Sequence, residues 1–326
     1  MHRRRWTAVA GGAMAALVVA TLAVASAAPA FEERSVGVFD VLAAEAGVVV
    51  FLAGLVTQLG DPWFLLAVAG TLALADLGDV TGHDSRDGAF VLGVALAAFS
   101  FTDLLKNVLG APRPPGAGTA VVPPWVPDAL AGLFRSIATG TGYAFPSGHA
   151  IGTSAVFAAL ASTLAIGRPA SRWGVAVTGI AAVAASRVVL GVHYLVDVVV
   201  GCLAGFGLLA VATAVGRRRP RRVFALGVVV GALAVAASAA SAAGTVWSAA
   251  QWLGGSVGAA LGWSLARPAR LLPPRRAVLV GVPLAALWVG VYVTAPPLPV
   301  TLLGTALAAA GMVAAPRVLG PAGDGA

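Results

Sequence analysis

SRVVLGVHYLVD, residues Ser186–Asp197, lies in the middle of a run from Trp173 to Val215 that is otherwise almost continuously apolar. One helix of that length would overshoot a hydrocarbon layer of about 30 Å. The run must therefore reverse, and its middle falls at Leu190–His193. A reversal there makes a helical hairpin whose bend carries Arg187 and His193 at one end. Ionisable side chains in such a run are costly, so their default reading is functional.

Composition extends this reading to the whole chain. Of 326 residues, 59% are hydrophobic and only 10% are charged, which indicates an all-α, polytopic membrane bundle. A net charge of +8 does not indicate nucleic acid, because the arginines stand in short clusters between apolar runs rather than on one polar face. Cys202 is the one cysteine, so no intrachain disulfide can form. The sequence has neither a phosphate loop of the G-x-x-x-x-G-K type nor a Cys/His set with zinc spacing, and we expect no cofactor and no metal.

Three regions are expected. Residues 1–61 hold an apolar run, Thr7–Ala28, behind the basic flank MHRRRW. It is read as a retained signal-anchor, although its ASAAPA end also suits cleavage. Within the same region, Asp40–Gln58 could be an interfacial helix or part of a long bent span, with a break at Gly60–Pro62; the charge pattern is simplest if it is an interfacial segment along the outer surface. Residues 62–216 hold runs at Trp63–Leu77, Ala89–Leu109 and His149–Ile166, followed by the hairpin. The Pro-rich stretch Ala111–Tyr143 reads as an ordered loop. Residues 217–326 hold four more runs, about Phe224–Ala243, Thr245–Leu265, Val278–Thr294 and Pro299–Ala315. They carry no histidine or acid and read as scaffold. Gly254, Gly258 and Gly262 have the spacing of close helix contact.

With the amino terminus inside, all but five of the 21 basic residues fall on the inner side. The exceptions are Arg34, Lys106, Arg113, Arg135 and Arg187. This bias predicts a cell-membrane protein with both termini cytoplasmic. It also gathers Lys106, Arg113, His149, Arg187 and His193 at the outer level, from three separate parts of the chain.

Those residues suit one chemistry. His193 and Asp197 are four apart, so on one helix the carboxylate can fix the imidazole tautomer and free the opposite nitrogen as nucleophile or base. In FPSGH, Phe145–His149, a loop enters a helix. Ser147 is a good N-cap there, and the free amides behind it suit an anion. Lys106 and Arg113 stand at the end of another helix. Three cations, a helix start and two histidines fit a tetrahedral oxyanion. Each piece also has a plainer reading: an interfacial histidine, ordinary turn chemistry, or a Lys106–Asp103 pair one turn apart.

The triple K-x6-RP (Lys106–Pro114), PSGH (Pro146–His149) and SR-x5-H-x3-D (Ser186–Asp197) resembles the signature of the type 2 phosphatidic acid phosphatase and vanadium haloperoxidase superfamily. The resemblance covers about Trp63 to Val215. It implies a six-helix membrane core, here with about four extra carboxy-terminal transmembrane helices, and metal-independent hydrolysis of phosphate monoesters or diphosphates. Carried onto this chain, it makes His193 the nucleophile that becomes a phosphohistidine, Asp197 its orienter and His149 the acid for the leaving oxygen. Lys106, Arg113, Ser147, Gly148 and Arg187 would hold the phosphoryl oxygens. The expected substrate is a membrane lipid phosphate in the bilayer. A phosphotransferase using the same intermediate and a non-catalytic lipid-binding or transport protein are the alternatives, and the oligomeric state is not legible.

Overall fold

Apolar runs separated by Pro, Gly and Arg become a bundle of helices in the computed structural model, which describes residues 47–120, 122–217, 219–242, 245–265 and 270–319. The expected anchor at Thr7–Ala28 lies outside the described residues. The elements are α1 (Gly47–Thr57), a 3-10 turn (Gln58–Gly60), α2 (Pro62–Leu74), the single turn α3 (Gly78–Thr81), α4 (Ser85–Leu109), α5 (Asp128–Ala138), α6 (Gly148–Thr163), α7 (Pro169–Val189), α8 (Leu195–Gly216), α9 (Pro220–Ala240), α10 (Val246–Leu265), α11 (Pro274–Thr294) and α12 (Leu298–Leu319). With α1 and α2 taken as one bent segment, seven helical segments among the described residues are long and apolar enough to cross a membrane. The chain is thus an all-α, multi-pass membrane bundle. Helix α6, at 16 residues, is shorter than a full crossing, and α10 buries Gln251 and Ser256; both are interior.

Helix α4 is the central post. Asp84 starts it by accepting from the amides of Arg86 and Asp87, while the Asp87 carboxylate accepts from the Asp84 amide, a reciprocal cap. Every residue from Gly88 to Thr102 is buried, as a helix apolar on all sides requires. Helices α2, α6, α9 and α10 surround it. Gly110 ends it with φ 60°, a left-handed conformation that turns the chain away just past Lys106.

The long apolar run breaks where its length demands. Helix α7 stops at Val189, Gly191 takes φ 66° and α8 begins at Leu195. Helix α8 returns against α6 with their backbones almost touching. A Cβ placed on Gly205 would lie 2.5 Å from the Ile151 carbonyl oxygen, and one on Gly201 would lie 2.8 Å from that of Ser147. Between α4 and α6 the described part of the loop holds the amphipathic helix α5. Its two arms are pinned by Gly140 N–H to the Ala117 carbonyl at 2.8 Å and Ala144 N–H to the Ala111 carbonyl at 2.9 Å. Helix α1, whose described part begins at Gly47, runs through a single 3-10 turn into α2, and the two form one bent apolar stretch, Gly47–Leu74.

The four runs after residue 217 are the helices α9–α12. Close packing of α10 on α12 follows the glycines singled out above: Cβ atoms on Gly254, Gly258 and Gly262 would lie 2.2 Å from Thr305 Oγ1, 2.0 Å from the Ala306 carbonyl oxygen and 2.6 Å from that of Ala310. Where α10 gives way to α11, a short parallel bridge joins this part to the α2 end. Asp76 N–H donates to the Leu272 carbonyl at 2.7 Å and Leu272 N–H to that of Leu74 at 2.9 Å. Gly258→Leu has no room beside Ala306 and should cost about 1–3 kcal/mol or more of stability. Gly290, with nothing within 4 Å of an added Cβ, should tolerate alanine. Thermal melts of the two variants in detergent check this pair, and equal midpoints would refute the packing.

Candidate active site

Helices α4, α6, α7 and α8, the loop after α4 and the hairpin bend deliver the site side chains to one end of the bundle. The hairpin bend supplies His193, 3% exposed, and α8 supplies the fully buried Asp197 in its first turn. His193 Nδ1 lies 3.3 Å from Asp197 Oδ2, which also accepts from the Tyr194 amide at 2.9 Å. An ionised carboxylate can only accept, so Nδ1 carries the proton and Nε2 the lone pair. Nε2 lies 3.3 Å from Arg113 Nη1. Burial first, then the positive charges of Lys106, Arg113 and Arg187, hold the His193 imidazole well below the ordinary histidine range and so keep it neutral.

Arg113 is fixed by backbone oxygens. Nη1 donates to the Val192 carbonyl at 2.8 Å, and Nε donates to those of Thr141 at 2.9 Å and Gly142 at 3.2 Å. The guanidinium lies flat against Gly140, where an added Cβ would come within 2.7 Å of Nη1. The loop arms described above thus aim this arginine at the hairpin bend. Arg187, in the last turn of α7, is 5% exposed and donates from Nη1 to Thr57 Oγ1 at 2.7 Å. Its Nε has no partner. Lys106 sits in the last turn of α4, and no described residue takes its ammonium in a hydrogen bond or ion pair.

Ser147 occupies the N-cap position of α6, yet its hydroxyl makes no capping bond. This corrects the sequence reading, in which Ser147 caps that helix. Its amide is bonded to the Asp197 carbonyl at 2.9 Å, while Oγ is buried without a partner. The Gly148 amide, at the first helical position, has no intrahelical acceptor. A buried hydroxyl and an open amide therefore stand side by side at a helix start, where an anion is favoured. His149 follows in the first turn, with Nε2 3.6 Å from Asp61 Oδ2. The chain passes close here because residue 60 is glycine: a Cβ there would lie 2.6 Å from Val183 Cγ1 and 3.0 Å from His149 Cδ2.

The structure thus brings His193, Asp197 and Arg113 into direct contact, ties Ser147 to Asp197 through the backbone and sets Lys106 and Arg187 as charged neighbours of His193. Two contributors were missed. Asp61, read only as part of a helix break, faces His149, and Thr57 holds Arg187. Both precede residue 62, the expected start of the core. The only sequence signal for Asp61 was an acid at a helix start in a chain poor in acids.

Residues 88–221 match the PAP2 superfamily, a stretch that contains Lys106, Arg113, Ser147, Gly148, His149, Arg187, His193 and Asp197. Two curated relatives, both named decaprenylphosphoryl-5-phosphoribose phosphatase, come from Mycobacterium tuberculosis strains CDC 1551 / Oshkosh and ATCC 25618 / H37Rv. Each is 30% identical over 159 residues, covering 49% of this chain and 74% of the relative. The chain belongs to the PAP2 superfamily. It is a membrane phosphatase of that superfamily; among the described residues, nearly all of α9 and the whole of α10–α12 follow the matched stretch. No solved structure matches it. In this PAP2 protein the Ser147 hydroxyl serves no cap, so Ser147→Ala should spare the roughly 1 kcal/mol that loss of an N-cap usually costs. A thermal melt should show an unchanged midpoint, and a clear fall would mean that the hydroxyl caps after all.

Proposed function

We propose that this protein is an integral-membrane lipid phosphatase working through a phosphohistidine on His193. The observation that carries the reading is the neutral His193 imidazole held by the Asp197 carboxylate, ringed by Lys106, Arg113 and Arg187 and facing the open start of α6. The substrate phosphate sits among the three cations, the Ser147 hydroxyl and the Gly148 amide. His193 Nε2 attacks phosphorus as the bond to the leaving oxygen breaks, and His149 gives that oxygen its proton. Asp197 holds the Nδ1 proton and stabilises the charge that the ring acquires. In the second half, His149 takes a proton from water, whose oxygen attacks phosphorus. The P–N bond breaks, inorganic phosphate leaves and His193 regains its lone pair. Fixed cations and amides supply the positive charge, so the reaction proceeds without a metal.

The substrate class is a phosphate monoester carried on a prenyl-type lipid. The name of the mycobacterial relatives supports this choice, together with helices that keep the site beside the bilayer. Residues 62–216 form the catalytic core, and residues 217–326 a carboxy-terminal helical unit. Both termini lie in the cytoplasm and the site opens at the outer face of the cell membrane, as the arginine distribution indicates.

Detergent-purified protein should release inorganic phosphate from lipid phosphates with EDTA present, in a panel containing prenyl and diacylglycerol monoesters and diphosphates. His193→Ala should lower that rate by at least about a thousandfold; a variant at the wild-type rate would remove His193 from the role of nucleophile. Sidedness has its own check. Thr119, exposed on the loop between α4 and α5, changed to cysteine in a Cys202→Ser background, should react with an impermeant thiol reagent in intact cells. Labelling only after lysis would invert the orientation.

A further inference from the structure

Helix α4 carries two polar residues offset to one side of Lys106: Asn107 is held by the segment that joins α9 to α10, and Asp103 by the first turns of α10. Asp103 Oδ2 accepts from Ser248 Oγ at 2.7 Å and from Trp252 Nε1 at 3.1 Å. One turn later, Asn107 Oδ1 accepts from Ser241 Oγ at 2.8 Å and Thr245 Oγ1 at 2.9 Å. The Asn107 amide donates to the Asp103 carbonyl at 2.8 Å, which locks the two together. All four donors lie beyond residue 221, where the family match ends.

A carboxylate on an apolar helix is stable only with donors or a counter-charge. Lys106, one turn on, is the nearest cation in sequence and would be its natural partner. Instead the acid is satisfied by a neutral hydroxyl and an indole N–H, and no described residue pairs with the ammonium. At about 100° per residue, Asp103 and Asn107 point within about 40° of each other, whereas Lys106 stands about 60° to the other side of Asp103. Fixing the first two therefore fixes the direction of the third. The tilted ring contacts of Trp252 with Phe99, 4.7 Å between centroids, and its stacking on Trp288 at 6.0 Å hold the indole for its bond to Asp103.

We infer that Asp103 and Asn107 are positioning residues, and that the α9–α10 connection together with the start of α10 is part of the catalytic unit because their four donors clasp the end of α4. The clasp keeps the Asp103 carboxylate from taking the Lys106 ammonium as a contact ion pair and sets the rotation of the turn that aims Lys106 at the substrate phosphate. This rests on the reading of Lys106 as a phosphate ligand given above.

The test is a double-mutant cycle on the full-length protein in detergent, read by inhibition with inorganic phosphate, by KM and kcat on the best lipid phosphate of the panel, and by thermal midpoint. The clasp variant is Ser248→Ala with Trp252→Phe, which removes both donors to Asp103 and leaves a ring beside Phe99. A second variant, Thr245→Val, removes one donor to Asn107 and covers the case in which the first folds poorly. Loss of the clasp should weaken phosphate inhibition about tenfold and raise KM more than it lowers kcat, the size expected when a charge-assisted contact is lost. In a Lys106→Ala background the same variants should change phosphate inhibition by less than about twofold.

Clasp variants that lower only the midpoint, with phosphate inhibition intact, would make the bonds purely structural and overturn the inference. Equal losses in both backgrounds would show that the effect bypasses Lys106 and would overturn it as well. If Lys106→Ala alone leaves phosphate inhibition at the wild-type level, the phosphate-ligand reading fails first and takes the clasp with it. If Lys106→Ala weakens inhibition and the clasp variants do not, only the clasp falls.

Discussion

Asp197 is the residue through which the site is assembled. Its carboxylate accepts from His193 and from the Tyr194 amide, and its backbone carbonyl accepts the Ser147 amide at the entry to α6. One buried residue therefore joins the bend of the hairpin, the start of α8 and the start of α6. A carboxylate wholly out of water is tolerable only when its oxygens are so occupied. The requirement runs in both directions: the acid needs these donors, and the donors are held in register by the acid. Gly201 and Gly205 make the arrangement possible, since any larger side chain would drive α8 away from α6 and stretch the Ser147 bond.

Around that anchor the charges divide by what restrains them. Arg113 is held by backbone oxygens and Arg187 by a hydroxyl, so neither is neutralised by an acid in direct contact. The Lys106 ammonium has no hydrogen-bond or ion-pair partner among the described residues. This leaves a strongly positive cup with a neutral imidazole at its centre, an arrangement that repels a proton from His193 and attracts a phosphate for the same reason. The carbonyl oxygens that hold Arg113 offset part of that repulsion without cancelling its charge.

Much of this was legible in sequence because the physical constraints were strong ones. The reversal near Gly191 followed from length alone, and the spacing of His193 and Asp197 from helix geometry. The contacts of Gly254, Gly258 and Gly262 followed from the need for small residues where helices meet in lipid. Asp61 and Thr57 were not legible, because their roles depend on a tertiary approach of the α1–α2 bend to α6 and α7 that no local pattern announces. Ser147 misled for a related reason. Residue type and position favour an N-cap, but the hydroxyl makes no capping bond and it is the backbone amide of Ser147 that is engaged, by the Asp197 carbonyl of α8. Asp103 likewise had an apparent partner in Lys106, and its true donors lie more than a hundred residues on.

The bridge between Leu272 and the end of α2 acquires weight once the clasp at Asp103 is set beside it. The two attachments lie near opposite ends of α4, whose 25 residues span about 37 Å. A body fastened at one point keeps a pivot; fastened at two distant points, it loses tilt as well as translation. The carboxy-terminal helices are therefore tied to the phosphatase core near both ends of its central post, as a splint is tied to a limb.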